Sequence, residues 1–522
     1  MKRAPRIAII VAIVTAAFAG RQVMHRGHTE ATPATSTAVA ADSTPAVPRT
    51  WQLGSLTLHP CELGQPHSGL STAAWCAPFQ VPEDRDHPEG RKLDMRLAIV
   101  RSSAQVPAGD PVVFLAGGPG QAATETYASV APAMALVLAH RNVVLLDQRG
   151  TGGSHPLSCR DGDDHDVPGG SEESSGVDLD AVRKETKHCL DSLSAQADVR
   201  FYTTTDAVAD LEDLRKALGS PKLNVLGVSY GTRVAQQYAM RHPEAIRTIA
   251  LDGIAPNALV LGEDFAVNLD AALKAQFTRC ANDEACRARF ADPYQTLYQL
   301  RDALRANPHK VTFRDPQTYA STQRVLSEYV LATVVRMFAY SPETAALLPL
   351  SIDAAARGDV GPLLGQARLL TGDLGDTMDG GMQYSVICSE DADLLTSRPQ
   401  DKDTILGDNM IEAFRAACSV WPHGKRPADF HQPLQSQVPA LLMSGEFDPV
   451  TPPHYGDEVL KGLPNGRHFV LQGQGHNVVA RGCMPRLLDQ FIDKADAKGL
   501  DGKCLERLSP VPVFVGFNGA TP

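Results

Sequence analysis

Leu223-Asn-Val-Leu-Gly-Val-Ser-Tyr-Gly-Thr232 is the stretch from which the fold can be read. An apolar run suited to a buried strand passes through Gly227-Val228-Ser229-Tyr230-Gly231 into Arg233 to Arg241, which reads as a helix. The pattern is a G-x-S-x-G nucleophile elbow, a tight strand-to-helix turn that lifts a serine clear of a sheet. Such a turn strains the backbone of the serine. Glycine is needed two residues to either side, because a Cβ there would strike neighbouring backbone. The helix that follows aims its first N–H groups at the space above Ser229, where negative charge develops in acyl transfer. By itself the pentapeptide also fits an ordinary β-to-α turn, so the flanks must decide.

Upstream, Leu93, Met95, Leu97 and Ile99 alternate as an antiparallel strand with one buried face requires. Two apolar runs without alternation follow, Pro111 to Ala116 and Asn142 to Leu146. Continuous apolar strands imply a parallel sheet covered on both faces. Ala128 to His140 suits the crossover helix between them. Thr205-Asp206 can cap a helix carrying Val208, Leu211, Leu214 and Leu218 on one face and stopped by Gly219. After the elbow comes a further strand, Ile246 to Gly253. This β-α alternation specifies an α/β fold with a mostly parallel, doubly wound sheet.

The alternation stops near Ala255 and resumes with strands at Val438–Gly445 and His468–Leu471, followed by a helical stretch over 481–507. Between them the chain reads as mainly helical, for example over Leu326 to Tyr340 and Pro342 to Arg357. The expected organisation is a core in two parts, 51–256 and 437–522, with a mainly helical cap over 257–436.

The N-terminus reads as an export signal. A basic start, Met1 to Arg6, precedes the apolar run Ile7–Ala19, which closes on Ala17-Phe18-Ala19. That run is shorter than the roughly 20 residues a membrane-spanning helix needs, so 1–19 is expected to be a signal peptide, the alternative being an uncleaved anchor. Residues 20–50, rich in Ala, Thr, Ser and Pro, read as a disordered linker. The net charge of −11 and the lack of a basic stripe disfavour nucleic acid as a partner. The 10 cysteines, Cys61, Cys76, Cys159, Cys189, Cys280, Cys286, Cys388, Cys418, Cys483 and Cys504, contain no C-x-x-C pair and no zinc spacing. An even count in an exported chain indicates disulfides, and pairing of sequence neighbours is the simplest arrangement.

A serine nucleophile needs a base and an acid that orients it, supplied in the order Ser, Asp or Glu, His from loops after late strands. Asp448, in Gly445-Glu-Phe-Asp-Pro-Val-Thr-Pro452, and His476, in Gly473-Gln-Gly-His-Asn477, hold those positions. Glu446 and Asp252 are alternative acids. The oxyanion donors are expected to be the backbone N–H of Tyr230 and that of Gly118 in the Gly117-Gly-Pro-Gly120 loop. That loop lacks phosphate-binding spacing, and neither a metal nor an organic cofactor is called for.

Ala116-Gly-Gly-Pro-Gly120, Asp147-Gln-Arg-Gly-Thr-Gly-Gly-Ser154, Gly227-Val-Ser-Tyr-Gly-Thr232, Gly445 to Pro452 and Gly475-His476 together resemble the prolyl and tripeptidyl aminopeptidases, serine exopeptidases of the α/β-hydrolase fold. Trp75-Cys76 with Val81-Pro82 is similar to the exported, tripeptidyl branch. The resemblance implies an exported enzyme that cleaves short peptides or aminoacyl amides from a free N-terminus, with carboxylates of the cap holding the α-ammonium. Val386-Ile-Cys-Ser-Glu-Asp391 resembles a segment near the family's active-site mouth. It makes Glu390, with Asp391 second, the expected ammonium anchor. Ala116 and Tyr230 stand where many prolyl enzymes have His and Trp, which speaks against strict proline specificity. An esterase or amidase with the same triad is the nearest alternative, and a non-catalytic binding protein on the same fold is a more distant one.

Overall fold

The computed structural model describes residues 49–64, 71–159, 177–516 and 518–520. The expected signal peptide, and all of the expected linker except Arg49 and Thr50, lie outside the described residues. The strands are β1 (Trp51–Leu53), β2 (Leu56–Gly64), β3 (Ser71–Pro82), β4 (Lys92–Val100), β5 (Val112–Leu115), β6 (Val143–Leu146), β7 (Leu223–Val228), β8 (Ile246–Asp252), β9 (His309–Arg314), β10 (Ser321–Leu326), β11 (Ala440–Gly445) and β12 (Gly466–Leu471). Ten of them form one sheet in the order β1-β2-β3-β4-β6-β5-β7-β8-β11-β12. From β1 to β6 neighbouring strands are antiparallel, and from β6 to β12 they are parallel.

The unalternating apolar strands have both faces covered. Val113, Val225, Ile249 and Leu442 join one core cluster. Their neighbours Val112, Phe114, Leu226, Ala250, Leu441 and Met443 join the other. One face packs on α3 (Thr204–Ala217) and α4 (Tyr230–Arg241), through Val208, Leu211, Val234 and Tyr238. The opposite face packs on α1 (Ala123–Met134) and a helix at Met484–Lys494, through Tyr127, Val130, Leu487 and Phe491. The chain runs from β5 outward to β6 and returns to β7 on the other side of β5. The sheet's topological switch point therefore lies between β5 and β7, and crevices at strand carboxyl ends there are where such folds bind ligands.

Several boundaries differ from the sequence expectation. The crossover helix begins at Ala123, not Ala128, and ends at Met134 before a separate 3₁₀ turn, Val137–Ala139. Its N-terminus is held from a distance, since the Asp147 carboxylate accepts from Thr124 N at 2.7 Å and Thr124 Oγ1 at 2.9 Å. No local signal marks such a cap. After α2 (Leu179–Leu193), which Asp178 caps, helix α3 is capped by Thr203, with Asp206 completing a capping box, and not by Thr205. The helix expected over Leu326 to Tyr340 is trimmed to Glu328–Ala339 by a Ser327 cap, and the one over Pro342 to Arg357 splits into Pro342–Ala345 and Leu348–Ala356.

Between β8 and β11 the chain is mainly helical, with its own apolar cluster built from Leu269, Leu273, Phe277, Leu297, Val334, Phe338 and Leu348 among others. It also contains the β9–β10 hairpin, which the helical reading missed. A helical period cannot be fitted to His309-Lys-Val-Thr-Phe-Arg314, and Asp315 closes the turn by accepting from Gln317 N and Thr318 N at 2.8 Å each. All 10 cysteines pair as sequence neighbours: Cys61–Cys76, Cys159–Cys189, Cys280–Cys286, Cys388–Cys418 and Cys483–Cys504.

Candidate active site

Ser229 occupies the turn between β7 and α4 with φ 55° and ψ −123°, a strained backbone for a residue with a side chain. The flanking glycines are required sterically. A Cβ on Gly227 would lie 2.4 Å from the Gly231 carbonyl oxygen, and one on Gly231 would lie 2.3 Å from that of Leu115. Ser229 N donates to the Asp252 carbonyl at 2.8 Å, locking the elbow to the end of β8. The side chain is partly open to solvent. Among the described residues its hydroxyl has no hydrogen-bond partner, a looseness common in sites without substrate.

His476 reaches the same edge from the loop after β12. A Cβ on Gly253, one residue beyond Asp252, would lie 2.8 Å from its Cε1. Its Nδ1 lies 2.7 Å from Asp448 Oδ2. Asp448 is itself oriented by Val450 N at 2.9 Å, Thr451 N at 2.8 Å and Thr451 Oγ1 at 2.9 Å. Burial opposes charge on both partners, yet each holds the other charged: Asp448 sits below the usual carboxylate range and His476 above the usual imidazole range.

The alternative acids are occupied elsewhere. Asp252 accepts from Val478 N and Val479 N at 2.8 Å each, and burial pushes its carboxyl up to about 6. Glu446 accepts from Gly473 N at 2.7 Å.

The Gly117–Gly120 loop lies against the elbow, so close that a Cβ on Gly117 would sit 3.1 Å from the Ser229 Cβ. Among the described residues neither Gly118 N nor Tyr230 N donates to another protein group. Both are therefore available to an oxyanion. Asp379 was not singled out in the sequence. It packs on this loop, its N–H donating to the Gly120 carbonyl at 2.9 Å and its carboxylate accepting from Gly152 N at 2.9 Å. Only the fold brings it there.

Glu390 and Asp391 are not at the mouth. Both are 0% exposed. Glu390 accepts from Thr204 N at 2.6 Å and Thr204 Oγ1 at 3.0 Å, which makes it a distant cap for the first turn of α3. Burial pushes its carboxyl up to about 8. Asp391 is ion-paired with the equally buried Arg233 at 2.9 Å and accepts from Leu261 N at 3.2 Å. No substrate ammonium can reach either, so the expected anchor role is corrected to an internal one. This network meets the elbow helix through Arg233 and through the Thr204 and Tyr230 hydroxyls, 2.6 Å apart.

The Asp-Gln-Arg-Gly element is also mostly a brace. Arg149 is buried and forks onto Asp210 with two 2.6 Å bonds, while Nη1 donates to the Glu83 and Phe201 carbonyls. Gln148 donates to the Tyr230 hydroxyl at 3.1 Å, and Asp147 holds Gly153 N as well as α1.

A sequence model of the alpha/beta hydrolase fold matches residues 110–481, from the start of β5 to the histidine loop. The chain belongs to that family. This hydrolase is 25% identical over 476 residues to the serine protease Hip1 of Mycobacterium tuberculosis, covering 85% of its own length and 90% of that protein. It is 24% identical over 484 residues to the tripeptidyl aminopeptidase of Streptomyces coelicolor, covering 84% of each chain. Among solved structures, the hydrolase superposes on the proline iminopeptidase of Mycobacterium smegmatis with a TM-score of 0.38 at 17% identity, over 80% of its own chain and 98% of that one. The protein is thus a hydrolase of the α/β fold with peptidase relatives.

Proposed function

We propose that the hydrolase is an exported serine aminopeptidase that cleaves short peptides or aminoacyl amides from a free N-terminus. The observation that carries the chemistry is the Asp448–His476 pair, locked at 2.7 Å beside the strained Ser229. In this reading His476 takes the Ser229 proton as Oγ attacks the scissile carbonyl. The oxyanion is received by the N–H groups of Tyr230 and Gly118. His476 then protonates the departing amine, and water hydrolyses the acyl-enzyme by the same route in reverse. Atoms balance with water alone as co-substrate.

The peptidase assignment draws on the relatives, and export draws on the paired cysteines and the expected leader. An exopeptidase must also hold a terminal ammonium, which in a partly dry site requires a carboxylate. Asp379 is half-buried and bonded to Gly120 in the loop that packs against the elbow, and we assign it that role in place of Glu390 and Asp391.

The test is a panel of amino-acid, dipeptide and tripeptide naphthylamides, each with a free and an acetylated amine. The reading expects at least a roughly thirtyfold preference for the free amine, the low end of what losing one charged partner costs. Equal turnover of both forms would return the enzyme to the broader amidase and esterase class. A phosphonate probe that fails to label Ser229 would argue for a non-catalytic protein.

A further inference from the structure

The departing half of a substrate lies on the His476 side of Ser229, because the imidazole hands its proton to the leaving amine. One helix of the insertion, Glu328–Ala339, ends against His476. The Tyr340 ring at its C-cap meets the imidazole edge-on with centroids 5.3 Å apart, and the Tyr340 carbonyl accepts from His476 N at 2.8 Å. Tyr340 keeps helical angles, φ −65° and ψ −35°, so the residue four earlier shares its face. That residue is Arg336. Its guanidinium carbon lies 4.9 Å from the Phe265 ring centre, and Nη1 is 2.8 Å from the Met410 sulfur.

Arg336 is half-buried, yet among the described residues it has no carboxylate partner. The fully buried arginines Arg149 and Arg233 differ, Arg149 pairing with Asp210 and Arg233 with Asp391. The Arg336 charge is close enough to act on His476, where it opposes imidazole protonation. A guanidinium that is partly desolvated and uncompensated is costly to hold, and a planar carboxylate is its best-matched partner.

We infer that Arg336 binds a carboxylate on the departing half of the substrate, which biases the enzyme towards short peptides that end close to the scissile bond. The inference rests on the peptidase reading above. Two groups can supply the carboxylate: the free C-terminus of a short peptide, or an Asp or Glu side chain at the first departing residue.

The experiment compares Ala-Ala-Ala as free acid, as C-terminal amide, and as an amide with Asp as first departing residue, on the mature wild-type protein and on Arg336→Gln. Wild type is expected to favour the free acid over the amide by at least about tenfold in kcat/KM, mainly through KM. In Arg336→Gln that ratio collapses towards one, Arg336→Lys restores part of it, and the wild-type ratio shrinks as salt rises. Rescue of the amide by Asp identifies the side chain as a second acceptable source, and no rescue restricts the site to the terminus. A wild-type ratio near one on both acidic substrates overturns the inference, even where Arg336→Gln fails to fold. A ratio that survives the substitution overturns it too. Equal turnover of free and blocked amines would sink the exopeptidase reading instead, while the acid-to-amide ratio still decides the role of Arg336.

Discussion

Asp448 and Asp391 are both sealed from solvent and both face a cation-forming side chain, Asp448 with His476 at 2.7 Å and Asp391 with Arg233 at 2.9 Å. The two corners differ in the partner. An imidazole gains and loses its proton within the working pH range, so the Asp448 corner can store a charge for one step and release it in the next. A guanidinium never deprotonates, so the Asp391 corner can only hold charge in place. Surroundings follow the same division. Asp448 is saturated by donors, Oδ1 by the Val450 and Thr451 N–H groups and Oδ2 by the Thr451 hydroxyl beside His476, whereas the Asp391 corner extends into Glu390, Thr204 and the start of α3. Burial beside a titratable partner makes a reactive corner, and burial beside a permanent one makes a brace.

The sharpest break in that contrast is at Ser229. If the Asp448 corner serves the serine, Ser229→Ala should lower peptide turnover on the order of 10⁶-fold while leaving the melting temperature close to wild type. A purified variant retaining more than about 1% activity would take Ser229 out of the chemistry.

Asp448→Asn comes next. It keeps the shape of the corner but removes the charge that selects the His476 tautomer, and turnover should fall on the order of 10⁴-fold. The pH profile supplies a second readout. Because Asp448 holds His476 above the usual imidazole range, wild-type kcat/KM should rise with pH through a limb lying above about 6.5, the ordinary histidine value. In Asp448→Asn the residual activity should show that limb displaced to lower pH. A limb that stays put would mean another group titrates there.

The contrast also explains which parts of the molecule were legible. The elbow and the unalternating strands are encoded in short runs whose chemistry is local, and the sheet forms as expected, with Ser229, Asp448 and His476 following β7, β11 and β12. The Cys pairs were legible because each joins sequence neighbours. What sequence reasoning missed acts over distance. Asp147 caps α1 from 23 positions away, and Glu390 caps α3 from 186. A carboxylate reads the same in sequence whether it awaits a substrate or another helix. The β9–β10 hairpin was lost for a different reason, two six-residue strands being submerged in a long helical stretch.

The brace should fail through stability and not through chemistry. Asp391→Ala leaves the Arg233 guanidinium buried without its 2.9 Å partner, and Glu390, at 3.8 Å, is a poor substitute while burial favours its neutral form. Breaking a buried pair from one side typically costs about 3–5 kcal/mol. Urea unfolding of the disulfide-intact protein should show that loss as a lower midpoint. A midpoint within error of wild type would mean that Arg233 finds solvent or another acceptor, and that the corner is looser than its geometry implies.

The smallest expected effect on turnover concerns Glu390, and the sign of its effect on stability tests the comparison most closely. Burial holds the carboxyl at about 8 in the folded protein against an ordinary 4.5. Between those values the unfolded chain has released its proton while the folded chain still carries one. Stability therefore falls as pH rises from about 4.5 to about 8, and changes no further with this group beyond that. Glu390→Gln cannot titrate. Its amide can still accept from Thr204 N and donate to Thr204 Oγ1, the two contacts the carboxyl makes. Wild type and variant should thus melt close together near pH 5, with the variant gaining on wild type as the pH approaches 8. The ratio of free-amine to blocked-amine turnover should be the same in both, because the side chain never meets solvent. A variant that loses ground at the higher pH would show that Glu390 is ionised and forms a second charged partner for Arg233. A selective loss on free-amine substrates would show instead that this corner opens to the substrate, and would join the brace to the chemistry after all.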